Sequence, residues 1–265
     1  MWKNGCITLG QTDMYYAAFG SGSTKLVVLP GLSDGLATVK NKAWILAAPY
    51  KRFLRDFTVY MFSRKNSMPE GYGIADMADD QALAMTKLGI DKACVLGVSQ
   101  GGMIAQLLAV RHPEMVNRLI LAVTAPNAND VVTRTVSGWI DMANRGDHRA
   151  LMADTAEKMY SDSYLRRNRW ILPLLGIATK PKDYDRFLKN AGAILRFDAR
   201  GELQKILCPT LIIAGGCDKT VGNDAASELK SGIANSELLI YKDLGHSAYE
   251  EAKDFYDQIL AFCAP

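Results

Sequence analysis

The stretch that most restricts the fold is Gly97-Val98-Ser99-Gln100-Gly101-Gly102. An apolar β-type run, Cys94-Val95-Leu96, enters it, and a helix-compatible run from Met103 to Ala109 leaves it. A Gly-x-Ser-x-Gly between strand and helix is the context of a nucleophile elbow, in which serine occupies a sharp, strained turn. Gly97 and Gly101 are then required because a Cβ at either position would strike the neighbouring strand or helix. Ser99 falls at a helix N-terminus, where free N–H groups and the helix dipole favour developing negative charge.

Around this elbow the chain alternates strand-like and helix-like segments. Strands are expected at 7–9, 14–19, 25–29, 57–62, 93–98, 117–123, 208–214 and 237–241, eight in all. Several are near-continuously apolar, as in a parallel sheet covered on both faces. A first helix is expected within 37–57, broken at Pro49, and others at 74–88, 224–232 and 249–262. Between Thr124 and Leu195 no strand is evident. Helix-like pieces rich in Met, Trp, Tyr and Arg fall instead at 131–144, 148–160, 164–175 and 182–195. The expected organisation is a core of residues 1–123 and 196–265 with a helical lid, 124–195, inserted in it.

Composition excludes several classes. A net charge of +3 over 265 residues is too small to imply nucleic acid or an anionic membrane surface. No segment is long and apolar enough to span a membrane, and the start lacks the apolar run of a signal peptide. Five cysteines without a CxxC pair suggest free thiols in a reducing cytoplasm. The three histidines are far apart, with no metal-ligand spacing, and no Gly-x-Gly-x-x-Gly opens a βαβ unit. No cofactor is expected.

Acyl transfer through serine needs a nucleophile, a base and a group that orients the base. Ser99 is the nucleophile. His246, on a loop after the last core strand, is the base; His112 precedes Pro113 at a helix end, where histidine caps or packs, and His148 sits in a polar stretch of the lid, where it is expected to be solvated. Asp218 directly follows the strand ending near Gly215 and is preferred as the orienting acid. Asp224 reads as a helix cap and Asp243 as a turn residue.

The chain resembles the α/β-hydrolase superfamily, in its lidded serine esterase, lactonase and C–C hydrolase branch. The resemblance spans nearly the whole chain. It rests on Leu29-Pro30-Gly31-Leu32, the Ser99 elbow, the run from Arg111 to Leu119, the run from Pro209 to Asp218, and Gly245-His246-Ser247. It implies an α/β fold with a mostly parallel eight-stranded sheet flanked by helices. It also implies oxyanion donors at the backbone N–H groups of Leu32 and Gln100, where the loss of one donor costs ~3 kcal/mol. Two departures stand out: Pro30-Gly31 replaces the usual His-Gly, and Ser63-Arg64-Lys65-Asn66-Ser67 has lost the usual Asp-x-Arg-Gly-x-Gly-x-Ser pattern.

The resulting expectation is a serine hydrolase that cleaves a carboxylic ester, or a related acyl bond, of a small to medium, largely apolar molecule. The same triad also serves C–C bond hydrolysis, lactone opening and acyl transfer. A ligand receptor on the same fold is the alternative of another class. Trp44, Trp139 and Trp170 are the expected pocket residues, joined by Met142, Met152, Met159, Tyr160, Leu174 and Leu175. Arg166, Arg167 and Arg169 read either as holders of a substrate carboxylate or as a solvated helix face.

Overall fold

The structure is a computed structural model describing residues 2–168 and 180–264. Its eight strands are β1 (Trp2–Leu9), β2 (Thr12–Gly20), β3 (Thr24–Leu29), β4 (Phe57–Phe62), β5 (Ala93–Val98), β6 (Val116–Ala122), β7 (Thr210–Gly215) and β8 (Ser236–Tyr241). They form one sheet in the order β1-β2-β4-β3-β5-β6-β7-β8. The β1–β2 and β2–β4 pairs are antiparallel and the rest are parallel. The expected fold class is borne out.

The central strands are apolar at almost every position because each face meets a helical layer. Val27, Leu29, Val95, Leu119, Leu121 and Ile212 belong to one buried cluster. Their alternate neighbours Leu26, Val28, Cys94, Leu96, Ile120, Leu211 and Ile213 belong to the other. This is the period of two that a doubly covered strand imposes. The first layer is built on α2 (Ile74–Lys87) and α3 (Gln100–Arg111), the second on Tyr50, Phe53 and the C-terminal helix α10 (Phe255–Cys263).

Between β6 and β7 the chain forms α4 (Asp130–Asn144), α5 (His148–Met159), α6 (Asp162–Asn168) and α7 (Asp185–Leu195). Asn129 caps α4 by accepting from the Val132 N–H, and Asp147 caps α5 by accepting from Ala150. The remaining helices are α1 (Ala43–Leu46), α8 (Ala225–Gly232) and α9 (Ala248–Glu251).

Three expectations change. The 37–57 stretch is not one broken helix: it holds only the four-residue α1 and short turns, with Asn41 at φ 59° ahead of α1 and Pro49 inside a 3-10 turn, Ala48–Tyr50, after it. The C-terminal helix expected over 249–262 divides into α9 and α10, because Ala252 is extended at φ −77°, ψ 122°. The expected strand at 7–9 begins already at Trp2, an eight-residue edge strand paired with β2.

The elbow glycines are constrained by backbone, not side chains. A Cβ on Gly101 would lie 1.9 Å from the Leu29 carbonyl oxygen, and one on Gly97 would lie 2.4 Å from the Gly101 carbonyl oxygen. Neither obstacle is the end of a flexible side chain that could swing away. Gly101→Ala is therefore expected to destabilise the fold by at least about 3 kcal/mol, the upper end for overpacking. Urea unfolding measures it; a loss under 1 kcal/mol would contradict the close approach.

Candidate active site

Ser99 closes β5 and opens α3 with φ 54° and ψ −119°, a conformation an L-residue adopts only under constraint. The constraint is visible on both sides. The Ser99 N–H donates to the Ala122 carbonyl at 2.9 Å, and the Thr124 hydroxyl donates to the Ser99 carbonyl at 2.7 Å. The turn is thus tied to the end of β6, and the hydroxyl stands clear of the sheet.

Asp218 lies on the loop after β7 and His246 on the loop after β8. Adjacent parallel strands end side by side, so their loops meet. The Cys217 N–H donates to the Leu244 carbonyl at 2.9 Å, and the Gly216 N–H donates to the Tyr241 carbonyl at 2.9 Å. A Cβ on Gly215 would fall 2.1 Å from the Gly245 carbonyl oxygen, so the two loops touch through bare backbone.

The loops bring together three residues separated along the chain. His246 Nε2 lies 2.9 Å from Ser99 Oγ, and His246 Nδ1 lies 2.8 Å from Asp218 Oδ2. Asp218 Oδ1 accepts from the N–H groups of Thr220 at 2.8 Å and Val221 at 3.0 Å. His246 and Asp218 are both buried. A carboxylate is an acceptor, so Nδ1 carries the proton and Nε2 is free to accept from Ser99.

Leu32 and Gln100 sit alongside. Gly31 is the N-cap of a 3-10 turn that begins at Leu32, and Ser99 is the N-cap of α3, which begins at Gln100. Each residue is thus the first of its helix, where the N–H has no acceptor within the helix. The Gly31 segment passes close to the serine: a Cβ there would be 3.3 Å from Ser99 Cβ and 3.9 Å from Oγ.

Ser99 and His246 open onto a cavity of about 110 Å³. Its walls include Leu32, Leu36, Val98, Trp139, Leu151, Met152, Met159 and Phe187, and no charged side chain is among the described residues that line it. The space is comparable to a cavity on the order of 150 Å³ that holds benzene. Trp139 is fixed as a wall because its indole N–H donates to Asp154 Oδ2 at 2.7 Å, while Lys158 pairs with the same carboxylate at 2.6 Å.

The other expected pocket residues divide. Met152 and Met159 line the cavity, whereas Met142 packs into the core and Tyr160 donates its hydroxyl to Glu250 at 2.6 Å. Trp44 does not line it: Ala43 of α1 and Ala47 just after it are buried, and Trp44 is left 68% exposed. Trp170, Leu174, Leu175 and Arg169 lie outside the described residues, and Arg166 and Arg167 are exposed. His112 follows α3 and lies 2.8 Å from Asp79. His148, expected to be solvated, is buried 6.1 Å from the Tyr184 ring. Asp224 heads α8 without a side-chain capping bond.

Sequence reasoning missed a buried polar cluster behind the site. Arg64 is fully buried, and its Nη2 donates to the Gln100 side-chain oxygen at 2.9 Å. Asp34, in the 3-10 turn headed by Leu32, accepts from the Arg64 N–H at 2.9 Å and from Arg186 Nη2 of α7 at 2.8 Å. Burial pulls the Arg64 guanidinium below its ordinary range, to about 10, Asp34 opposing that fall and Arg186 adding to it, so it remains charged at neutral pH. The signal was an arginine just past a buried strand, in a loop that reads as surface.

The family model for the alpha/beta hydrolase fold matches residues 35–253. The Bacillus subtilis AB hydrolase superfamily protein YisY is 30% identical over 72% of this chain and 74% of its own. The Pseudomonas putida 2-hydroxy-6-oxononadienedioate/2-hydroxy-6-oxononatrienedioate hydrolase 2 is 27% identical over 96% of this chain and 93% of its own. Among solved structures, the α/β hydrolase MGS-M2 from a deep-sea metagenome library superposes with a TM-score of 0.84 at 22% identity, covering 97% of this chain and 96% of that one. The chain belongs to the α/β-hydrolase family. It is a hydrolase, and the resemblance read from its motifs is borne out. Among the described residues no helix is long and apolar enough to cross a membrane.

Proposed function

We propose that the protein hydrolyses carboxylic esters of small, uncharged, largely apolar acyl groups through a Ser99 acyl-enzyme. The observation that carries this reading is the unbroken series Ser99–His246–Asp218, at 2.9 and 2.8 Å, on the edge of an apolar cavity. Ser99 Oγ attacks the ester carbonyl and its proton passes to His246 Nε2. Asp218 holds the imidazole in the right tautomer and balances its positive charge. The carbonyl oxygen, now anionic, faces the N–H groups of Leu32 and Gln100. Collapse expels the alcohol, which takes the proton from His246. Water then attacks the acyl-enzyme, His246 again acting as base.

The cavity's composition supports an uncharged acyl group. A dioate such as the Pseudomonas putida relative is named for brings two carboxylates. Such groups call for cationic partners, and none lines this cavity among the described residues. Residues 124–195 then serve as a lid over a core of 1–123 and 196–265, and Trp139 supplies part of its roof. The five free cysteines suit a reducing setting, and we assign the protein to the cytoplasm.

A fluorophosphonate probe tests the reading against that of a ligand receptor. The expected result is one covalent adduct per chain, found by peptide mass mapping on Ser99 and formed more slowly while excess p-nitrophenyl butyrate is present. Intact, folded protein that takes up no probe would overturn it.

A further inference from the structure

Two guanidinium groups share one carboxylate behind the Ser99 turn. Arg64 Nη1 lies 3.9 Å and Arg186 Nη2 lies 2.8 Å from the same Asp34 oxygen. The side chains of Asp34 and Arg64 are almost wholly shielded from solvent, and that of Arg186 is 16% exposed. Arg64 Nε and Nη1 and Arg186 Nε have no hydrogen-bond partner among the described residues. The trio therefore holds one unit of uncompensated positive charge where solvent screens it weakly. A core rarely tolerates that arrangement for stability alone, since burying charge is costly and incomplete pairing leaves the cost unrelieved.

The cluster is linked to both residues assigned above as oxyanion donors, through the Gln100 side chain and through the turn that holds Leu32. Asp34 shares the 3-10 turn with Leu32, and its N–H closes that turn on the Gly31 carbonyl at 3.2 Å. Arg186 also donates to the Asp34 backbone carbonyl. On the other side, the Gln100 side chain accepts from Arg64 and donates from Nε2 to the Asn190 carbonyl of α7 at 2.8 Å. One helix, α7, thus reaches the turn that holds Leu32 through the Arg186–Asp34 bonds and reaches Gln100 through Asn190.

We propose that Arg64, Asp34 and Arg186 are positioning residues for the oxyanion hole, holding the Leu32 and Gln100 amides in register and setting a net positive charge behind them. This rests on the ester-hydrolase reading above. The ground-state ester is neutral, whereas the tetrahedral intermediate carries a full negative charge. The cluster therefore acts on the transition state and not on substrate binding.

The test uses p-nitrophenyl butyrate and a trifluoromethyl ketone bearing the same acyl chain. Ser99 Oγ adds to the ketone carbon, its proton moves to His246, and the carbonyl oxygen becomes an anion in the hole. Arg186→Gln is expected to lower kcat by about tenfold to thirtyfold, less than the ~10²- to 10³-fold lost with an oxyanion donor itself. KM should stay within twofold, and the ketone's inhibition constant should rise in step with the fall in kcat. Arg186→Lys, which keeps the charge, should recover most of the loss. Lys189→Gln, on the same helix but paired with the exposed Asp185 carboxylate, should match the parent. If Arg186→Gln does not fold, Gln100→Leu reads the same quantities, because it keeps the amide while cutting the links to Arg64 and Asn190. Unchanged kcat in these variants, or lost kcat with unchanged ketone inhibition, would overturn the proposal. Turnover surviving in Ser99→Ala would instead remove the ester-hydrolase reading beneath it.

Discussion

Replacing Ser99 with alanine is expected to cut kcat for p-nitrophenyl butyrate by at least about 10⁴-fold and up to the ~10⁶-fold that removal of a serine nucleophile costs elsewhere. Alanine keeps the Cβ, and the backbone at φ 54° costs it no more than it costs serine. The Ser99 backbone bonds to Ala122 and Thr124 do not involve Oγ. The variant should therefore fold with a melting temperature within a few degrees of the parent, so lost turnover reports chemistry. What remains should resemble the contribution of the two amides and the cavity alone. Turnover above one per cent of the parent rate would place the nucleophile elsewhere.

Asp218→Asn is the second large effect, on the order of 10⁴-fold in kcat. The reason lies in what else Asp218 does. Oδ1 already accepts from two backbone donors, Thr220 and Val221. An asparagine must keep its oxygen there, which turns its NH₂ toward His246 Nδ1. The imidazole then accepts at Nδ1 and carries its proton on Nε2, facing Ser99 with a donor where an acceptor is needed. Kinetics on the folded variant decide it: a loss smaller than tenfold would mean that Asp218 only packs the loop.

The Ser99–His246–Asp218 arrangement was legible because each part is local chemistry on a strand end. The Ser99 turn announces itself through Gly97 and Gly101, and Asp218 and His246 each follow a recognisable apolar strand. Trp44 misled because aromatic character does not say which face of a short helix it occupies; α1 is too short to carry a readable period. Arg64 and Arg186 were illegible for another reason. Their burial depends on a carboxylate 30 residues from one and 152 from the other, a relation no local pattern encodes. His148 failed in the same way: flanked by Asp147 and Arg149, it reads as surface, yet the packing of α5 covers it.

The chain departs from the sheet after Ala122 and comes back at Thr210, on strands that are hydrogen-bonded neighbours. Because the exit and re-entry points are adjacent, the intervening segment can change length at little entropic cost, about 0.6 kcal/mol per doubling. Swapping in a foreign segment would be nearly free for the sheet beneath, were it not for the hydrogen bonds that stitch it to the core, two of which lie beside the site. The Ser247 N–H, next to His246, donates to the Met159 carbonyl at 2.8 Å, and Arg186 reaches down to Asp34. Any graft meant to retarget this enzyme must bring its own acceptor for the first and its own cation for the second.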